Sequence, residues 1–339
     1  MRPPVDLVYT WVDGDDPEWQ ALKRRYMGPE QMAAGPDNEQ WGDEKRYRTM
    51  DEIVYAIRSA HRYAPWLRTI FIVITDGQVL PSPVLSDPKV VVVPYSTIMP
   101  AEILPSFCSN SIEAYIHKIP GLSEIFLYGN DDYLFLKPVP IEYFVDHDRL
   151  RLRGYLQPKP LARLGLLRKG HMKVANRTAM MLYERGFERV YVPEHSYHAM
   201  RKSTCEHVWD VHREDLASAT TLKFKDDTRA FWWQLLVYAY EDLLRDPIHE
   251  LTFGNAHLSF HDVERSKLMG AYVLARLLVL SRFPAPTACF NTIPPSWYGL
   301  MHRYFAMHLD DGRPPIGDVV QLLRQHGAPD RSQSRVSPG

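Results

Sequence analysis

The sequence is poor in cysteine and has no excess of either charge. Its 339 residues include three cysteines, and 40 Lys and Arg nearly balance 41 Asp and Glu. Nucleic-acid-binding proteins usually carry a basic excess, so this balance argues against a nucleic-acid partner. Cys108, Cys205 and Cys289 are too scattered for a disulfide framework or a cysteine-based zinc site. We therefore expect buried free thiols.

Long apolar runs are also missing. The most apolar stretch, residues 271–280, contains Arg276 and is much shorter than the roughly 20 residues of a transmembrane helix. The N-terminal segment is interrupted by Asp6 and Asp13, unlike the apolar core of a signal peptide. These absences predict a protein without a transmembrane segment that is cytoplasmic, or peripheral at the inner membrane.

The composition is globular, with 45% hydrophobic and 24% charged residues. In the N-terminal half, segments rich in β-branched residues alternate with helical patterns. Strands are predicted at 5–12, 69–75, 90–93 and 125–128. This alternation is typical of a Rossmann-like α/β fold with a mostly parallel sheet.

The C-terminal half has longer helical patterns, which predict helices at 229–245, 265–280, 297–308 and 315–326. We expect an α/β core over residues 1–150 and, over residues 151–327, a mainly helical part that caps the sheet and completes the same domain. The polar residues 328–339 lack periodicity and predict a disordered tail.

Three predicted strands run into acidic turns, which are Asp13-Gly14, Asp76-Gly77 and Asn130-Asp131-Asp132. Ligands of parallel α/β sheets bind outside the carboxyl ends of the strands, where these turns would converge. Paired carboxylates suit Mg²⁺ or Mn²⁺, which neutralise a diphosphate. Ordinary turns are the alternative interpretation.

Several histidines are candidates for acid–base or ligand chemistry. Glu113 and His117 lie four apart in a helix predicted over 109–118, where they would form either a proton-transfer pair or a solvated pair. His195 and His198 could supply a general base, a phosphate donor or metal ligands, or could be surface residues of a loop.

Other patterns are weaker. His257 and His261-Asp262 have metal-like spacing, but no further ligand group at characteristic spacing accompanies them, which argues against zinc. Lys223 and Lys225, which precede Asp227, could hold a phosphoryl group or belong to a solvated surface. The sequence contains no P-loop, dinucleotide-binding or nucleophile-elbow motif. It therefore lacks the motifs that are typical of NTPases, dehydrogenases and serine hydrolases.

Four ordered segments resemble the Stealth family of sugar-1-phosphate transferases. They are Val8-Tyr-Thr-Trp-Val-Asp-Gly14; residues 46–59 with 64–66 and 72–78; residues 104–107 with 111–113, 117–124 and 130–132; and residues 260–262 with 283–290. The resemblance implies transfer of a hexose-1-phosphate from a UDP-sugar to a glycan hydroxyl, with release of UMP, in capsule or exopolysaccharide synthesis. A divalent metal, Mg²⁺ or Mn²⁺, would bind the diphosphate.

The resemblance also implies roles for individual residues. The catalytic set would be His195 as general base, Glu113, Asp132 and Lys223, with Lys225 as the rival of Lys223 for the position of a family arginine. Asp132 and Asp262 would bind the metal. The substrate-binding set would comprise Asp13, Gly14, Arg58, His117, Asn130, Asp131, His198 and Asp227.

The sequence departs from the family pattern at Thr49-Met50, His261 and Asn291, where Asp-Asn, Asn and Glu are usual. Two other functions stay open, since acidic strand ends suit either transfer chemistry and the departures are the support for an inactive protein. The first is an ordinary glycosyltransferase that releases UDP, and the second is an inactive nucleotide-sugar-binding protein.

Overall fold

The computed structural model describes residues 3–28, 47–159, 171–226, 229–251, 255–260, 263, 266–310 and 316–327. The strands in these ranges are β1 (Val5–Trp11), β2 (Ile70–Ile74), β3 (Val90–Pro94), β4 (Ile125–Asn130), β5 (Tyr133–Phe135), β6 (Val145–Asp146), β7 (Arg149–Leu156), β8 (Tyr191–Pro193), β9 (His198–Arg201), β10 (Ile248–Leu251), β11 (Ala256–Ser259) and β12 (Thr287–Asn291). The α-helices are α1 (Pro17–Tyr26), α2 (Glu52–Tyr63), α3 (Ser82–Leu85), α4 (Tyr95–Ile98), α5 (Ser109–Glu113), α6 (His171–Glu184), α7 (Lys202–Val211), α8 (Arg213–Thr220), α9 (Trp233–Arg245), α10 (Lys267–Arg282), α11 (Tyr298–Asp310) and α12 (Ile316–Gly327).

The central sheet has the strand order β3-β2-β1-β4-β9. Its first four strands are parallel, and β9 pairs antiparallel with β4 at one edge. The α/β fold with a mostly parallel sheet is thus confirmed. Leu7 and Val8 are both fully buried because helices cover the two faces of the sheet. This burial explains why β1 is mostly apolar, while Asp6, also buried, is paired with Arg68.

Helix α2 covers one face of the sheet. Ile53, Ile57 and Ala60 are buried in a cluster with alternate residues of β1, including Leu7. The helix ends at Tyr63, shortly before Pro65, because the residue before a proline avoids the helical conformation. Buried residues of α6, α7 and α9 pack on the opposite face.

The second half contains the four predicted helices but is less helical than expected. Strands β7, β8 and β10 belong to a four-stranded sheet with β6, and β11 and β12 form a three-stranded sheet with β5. Apart from β7, these strands have two to five residues, and all but β6 pair with strands distant in sequence, so helical periodicity could not reveal them. The pairing of β5 with β12 joins the two halves in one sheet.

In the part of the chain that the structure describes, no helix is long and apolar enough to cross a membrane. The predicted tail, residues 328–339, lies outside the described residues.

Candidate active site

Gln78 joins the loops that follow β1 and β2. Its Oε1 accepts from the Asp13 N–H at 3.1 Å, and its Nε2 donates to the Asp13 carbonyl oxygen at 2.7 Å and to Asp16 Oδ2 at 3.2 Å. Gly14 lies against the backbone of Tyr47, because a Cβ added at Gly14 would be 1.9 Å from the Tyr47 carbonyl oxygen. A glycine is therefore required at this position of the loop.

A hydroxyl network marks the carboxyl end of β4. Thr10 of β1 stands opposite Asn130 in the parallel register. The Tyr128 hydroxyl lies 3.2 Å from Thr10 Oγ1, 3.1 Å from Asn130 Oδ1 and 3.2 Å from Glu113 Oε1. The ends of β1 and β4 therefore meet beside Glu113. For these two strands, the acidic turns converge as the sequence predicted.

Asp76, in the acidic turn after β2, takes a different role. Its side chain is exposed, and its carboxylate accepts hydrogen bonds from the N–H and hydroxyl of Ser96. Asp76 therefore fixes the start of α4.

Glu52, Asp131 and Asp132 form what we call the acidic cluster. Burial, followed by repulsion from Asp132 and Glu52, raises the pKa of Asp131 well above its usual value. Burial raises the pKa of Asp132 to about 6, against the effect of a hydrogen bond from Cys289. Burial also raises the pKa of Glu52 to about 7, with repulsion from Asp132 as a smaller cause. Carboxylates packed so closely gain from a compensating proton or cation.

The acidic cluster fits a divalent cation. Carboxylate oxygens are the preferred ligands of Mg²⁺ and Mn²⁺. Asp132 Oδ1 is buried and lacks a hydrogen-bond partner among the described residues. A cation at this oxygen would remove the cost of that missing partner.

Glu113 is buried at the end of α5, beside the acidic cluster. Its Oε2 accepts from Gln234 Nε2 at 3.0 Å, and its Oε1 faces the Tyr128 hydroxyl. Burial raises the pKa of Glu113 to about 7, although both hydrogen bonds and the charge of Lys225 oppose the increase. A carboxylate with this pKa can accept and return a proton near neutral pH.

His117 does not share a helix face with Glu113, contrary to the predicted helix over 109–118. Helix α5 ends at Glu113, and Ile116–Lys118 forms a 3₁₀ turn in which the Lys118 N–H bonds to the Tyr115 carbonyl oxygen. Burial, with the nearby Lys118 charge, lowers the pKa of His117 to about 3. Its neutral ring stacks on Trp233, so the solvated pair is excluded as well.

The two histidines of the 195–198 segment lie in different surroundings. His198 is the first residue of β9, and burial lowers its pKa to about 3. Its ring stacks on Tyr128, with the centroids 6.3 Å apart, so it is not the surface loop residue that one interpretation expected. His195 is half-buried, and its ring meets the edge of Tyr133 at a centroid distance of 5.4 Å.

A second group, which we call the His–His–Cys cluster, comprises His195, His257 and Cys289. Their ligand atoms all lie within 4.8 Å of one another. The Cys289 sulfur also lies 3.4 Å from Asp132 Oδ2, which links this cluster to the acidic cluster. The sequence predicted a buried free thiol at Cys289, and it is buried and free, but its association with two histidines was missed.

The two candidate lysines have different environments. Lys223 Nζ donates to the carbonyl oxygens of Ile103 and Leu104 at 2.9 and 3.0 Å. Lys225 is the lysine whose charge lowers the pKa of Glu113. The geometry thus brings Lys225 into electrostatic contact with the candidate site and uses Lys223 to hold a loop.

Three predicted site residues remain. One lies apart from these groups, and two lie outside the described residues. Arg58 is on the exposed side of α2, where its guanidinium pairs with Asp310 of α11. Asp227 and Asp262 lie outside the described residues.

Comparisons with known proteins agree with the resemblance seen in the sequence. Residues 3–28 match Stealth protein CR1, conserved region 1, and residues 46–152 match Stealth protein CR2, conserved region 2. The second and third of the four resembling segments therefore both lie in conserved region 2. Gln78, Glu113 and Asp132 all belong to that region.

Curated relatives are similar over most of the chain. The capsular polysaccharide phosphotransferase fcs1 of Haemophilus influenzae is 31% identical over 240 residues, which cover 66% of this chain and 61% of that protein. The exopolysaccharide phosphotransferase CpsY of Mycobacterium tuberculosis (strain ATCC 25618 / H37Rv) is 33% identical over 231 residues, which cover 66% of this chain and 41% of that protein. The chain thus spans about half the length of these relatives.

Among solved structures, the galactosyltransferase LgtC in complex with donor and acceptor sugar analogs aligns with a TM-score of 0.40 and 9% identity, covering 96% of this chain and 97% of that chain. This structural overlap is too weak to identify a site or a substrate. The matches to conserved regions 1 and 2, together with the identities to the capsular and exopolysaccharide phosphotransferases, show that the chain belongs to the Stealth family.

Proposed function

We propose that this protein transfers a hexose-1-phosphate from a UDP-sugar to a hydroxyl of a glycan, releasing UMP, in the synthesis of a capsular or exopolysaccharide. The similarity to capsular and exopolysaccharide phosphotransferases supports the reaction class. The observation that carries the proposal is the acidic cluster at the carboxyl end of β4, beside Glu113, in which Glu52 is buried and Asp131 and Asp132 are half-buried. Such a cluster suits a site that handles a diphosphate through a cation.

The reaction requires one bond to form and one to break. The acceptor oxygen attacks the phosphorus that carries the sugar, and the bond from that phosphorus to the oxygen of UMP breaks. Phosphoryl transfer of this kind depends mainly on positioning and on neutralising negative charge. Asp131 and Asp132 would hold Mg²⁺ or Mn²⁺, which supplies part of that neutralisation when bound. Lys225 would supply a further positive charge.

Glu113 is our choice for the group that takes the proton from the acceptor hydroxyl. Its pKa of about 7 matches that task at neutral pH. Tyr128 and Gln234 fix the orientation of its carboxylate. His195, the base that the resemblance implied, is the alternative, although its ring lies next to His257 rather than next to Glu113's partners.

The nucleotide released by the purified protein tests the reaction. We expect UMP, formed in step with acceptor consumption, from one member of a panel of UDP-sugars supplied with Mg²⁺ and a glycan acceptor. Release of UDP would establish glycosyl transfer, the alternative reaction, and would overturn the proposal. Binding of UDP-sugars without turnover, across a panel of acceptors, would indicate an inactive binding protein.

The pH dependence of kcat/KM tests the base. Because the base must be deprotonated, we expect activity to fall as the pH decreases below about 7, the pKa of Glu113. Glu113→Gln should lower kcat by about 10²–10⁴-fold and remove this acidic limb. His195→Gln should keep the limb. If the limb disappears in His195→Gln and persists in Glu113→Gln, His195 is the base.

A further inference from the structure

The His–His–Cys cluster is built largely on paired strands. His257 of β11 and Cys289 of β12 are direct partners in the register, so their side chains lie on the same face of the three-stranded sheet. Neighbouring strands of a sheet lie about 4.8 Å apart, so register partners stand side by side. The backbone therefore holds these two side chains together independently of any ligand.

The third member reaches the same face from another part of the chain. His195 lies between β8 and β9, and its ring packs against Tyr133 and against His257 at a centroid distance of 4.4 Å. Tyr133 of β5 is the register partner of Cys289 on its other side. The sheet thus positions the ring on which His195 packs, directly beside the sulfur.

The donor set is that of a transition-metal site. Two imidazole nitrogens and one sulfur lie within 4.8 Å of one another, a spacing that small side-chain rotations convert to the bonds of about 2.0–2.3 Å that zinc makes to nitrogen and sulfur. We propose that His195, His257 and Cys289 bind a zinc-class ion, Zn²⁺ or Co²⁺, through two nitrogens and a thiolate. Three protein ligands leave a fourth position open, as in catalytic rather than structural zinc sites.

This site differs chemically from the acidic cluster. Mg²⁺ and Mn²⁺ prefer oxygen ligands, whereas thiolate and imidazole favour zinc and its neighbours. Cys289 is buried and His257 is exposed, so the site opens toward solvent on the histidine side and an ion can enter without unfolding. The two sites are adjacent, because the Cys289 sulfur lies 3.4 Å from Asp132 Oδ2.

Cobalt absorption tests this proposal without measuring turnover. We expect the full chain, freed of metal with a chelator, to bind one equivalent of Co²⁺ with a thiolate-to-cobalt charge-transfer band in the near ultraviolet. One equivalent of Zn²⁺ should displace the Co²⁺, whereas a large excess of Mg²⁺ should not. Binding of Co²⁺ without that band, or its displacement by Mg²⁺, would overturn the proposal.

Variants identify the ligands. Cys289→Ser should remove the charge-transfer band, whereas Cys205→Ala, which removes a buried thiol packed against the central sheet instead, should retain it. His257→Gln changes an exposed side chain, and it should weaken Co²⁺ binding by at least about 10–100-fold. A parent-like band in Cys289→Ser, or parent-like affinity in His257→Gln, would show that these residues are not ligands. Because no step uses a sugar substrate, these results are independent of the proposed transferase reaction.

Discussion

The acidic cluster and the His–His–Cys cluster lie side by side but are assembled differently. In the acidic cluster, Asp131 and Asp132 form the short connection between β4 and β5, which holds them at the carboxyl end of β4. In the His–His–Cys cluster, the residues come from three segments that long-range pairing brings together. The first group concentrates like charges, and the second combines softer ligands. The difference teaches that neighbouring groups of one fold can have separate metal preferences.

Among substitutions that test this comparison, that of Asp132, which contacts both clusters, is expected to have the largest effect on activity. Its Oδ2 faces the Cys289 sulfur, and its Oδ1 is the buried oxygen that a cation would occupy. We expect Asp132→Asn to lower kcat by about 10²–10³-fold, because it removes charge that holds the cation against the diphosphate. Steady-state turnover at saturating Mg²⁺ measures this effect. Asp76→Asn is the matched control, since Asp76 lies in the turn after β2 of the same sheet but accepts hydrogen bonds from Ser96, and equal losses in both variants would contradict the assignment.

The pH dependence of the free energy of unfolding tests whether the Glu113 carboxylate is destabilised by its burial. Its pKa in the folded protein, about 7, lies above its usual 4.5. Between these values the unfolded chain loses the proton first, so Glu113 reduces the stability of the parent as the pH rises, by up to about 3 kcal/mol above pH 7. We expect Glu113→Gln to be more stable than the parent at pH 8 and similar to it at pH 4.5, as measured by urea unfolding.

Glu241→Gln is the contrasting control for that measurement. Glu241 is equally buried, but it pairs with Arg201, at 3.0 Å from Arg201 Nε. Replacing it removes the buried partner of Arg201 and leaves only the exposed Asp148 to pair with the guanidinium, and breaking a buried pair costs up to about 3–5 kcal/mol. Glu241→Gln should therefore destabilise the protein at both pH values. If Glu113→Gln behaves in the same way, the carboxylate of Glu113 is stabilised rather than strained by its surroundings.

The two lysines give the smallest expected effect. Because the charge of Lys225 reaches Glu113, Lys225→Met should lower kcat/KM by about tenfold and move the acidic limb of the pH profile to higher pH. Lys223→Met removes hydrogen bonds to two carbonyl oxygens, so we expect lower thermal stability with the limb unmoved. If the acidic limb shifts in Lys223→Met but not in Lys225→Met, Lys223 is the lysine whose charge acts on the base.

Much of the acidic side could be predicted from sequence. Apolar runs that stop at Asp13 and Asn130 locate strand ends, and parallel strands must place those ends at one edge. Glu52 was missed, since Thr49 and Glu52 have the spacing of a helix-capping pair, and its carboxylate does accept from the Thr49 hydroxyl. Nothing local reveals that Glu52 also lies near Asp131 and Asp132.

The His–His–Cys side could not be predicted in the same way. Zinc sites are recognised in sequence by closely spaced ligands, and His195, His257 and Cys289 are far apart. The register of β11 with β12 brings His257 beside Cys289, and the register of β12 with β5 places there the Tyr133 ring on which His195 packs. Short strands of this kind are defined by their partners more than by their own residues. The broken helix at Glu113 was missed because a 3₁₀ turn has no distinct residue pattern.

The pairing of β5 with β12 also has a consequence for biosynthesis. Tyr133 and Cys289 are register partners about 150 residues apart in the chain. At a synthesis rate of about 5–20 residues per second, β5 waits on the order of 10–30 s before its partner strand leaves the ribosome. During that interval its apolar residues, which are buried in the finished protein, present an unpaired edge to other strands. During synthesis, the edge of β5 therefore stays open to mispairing with other strands until β12 has been made.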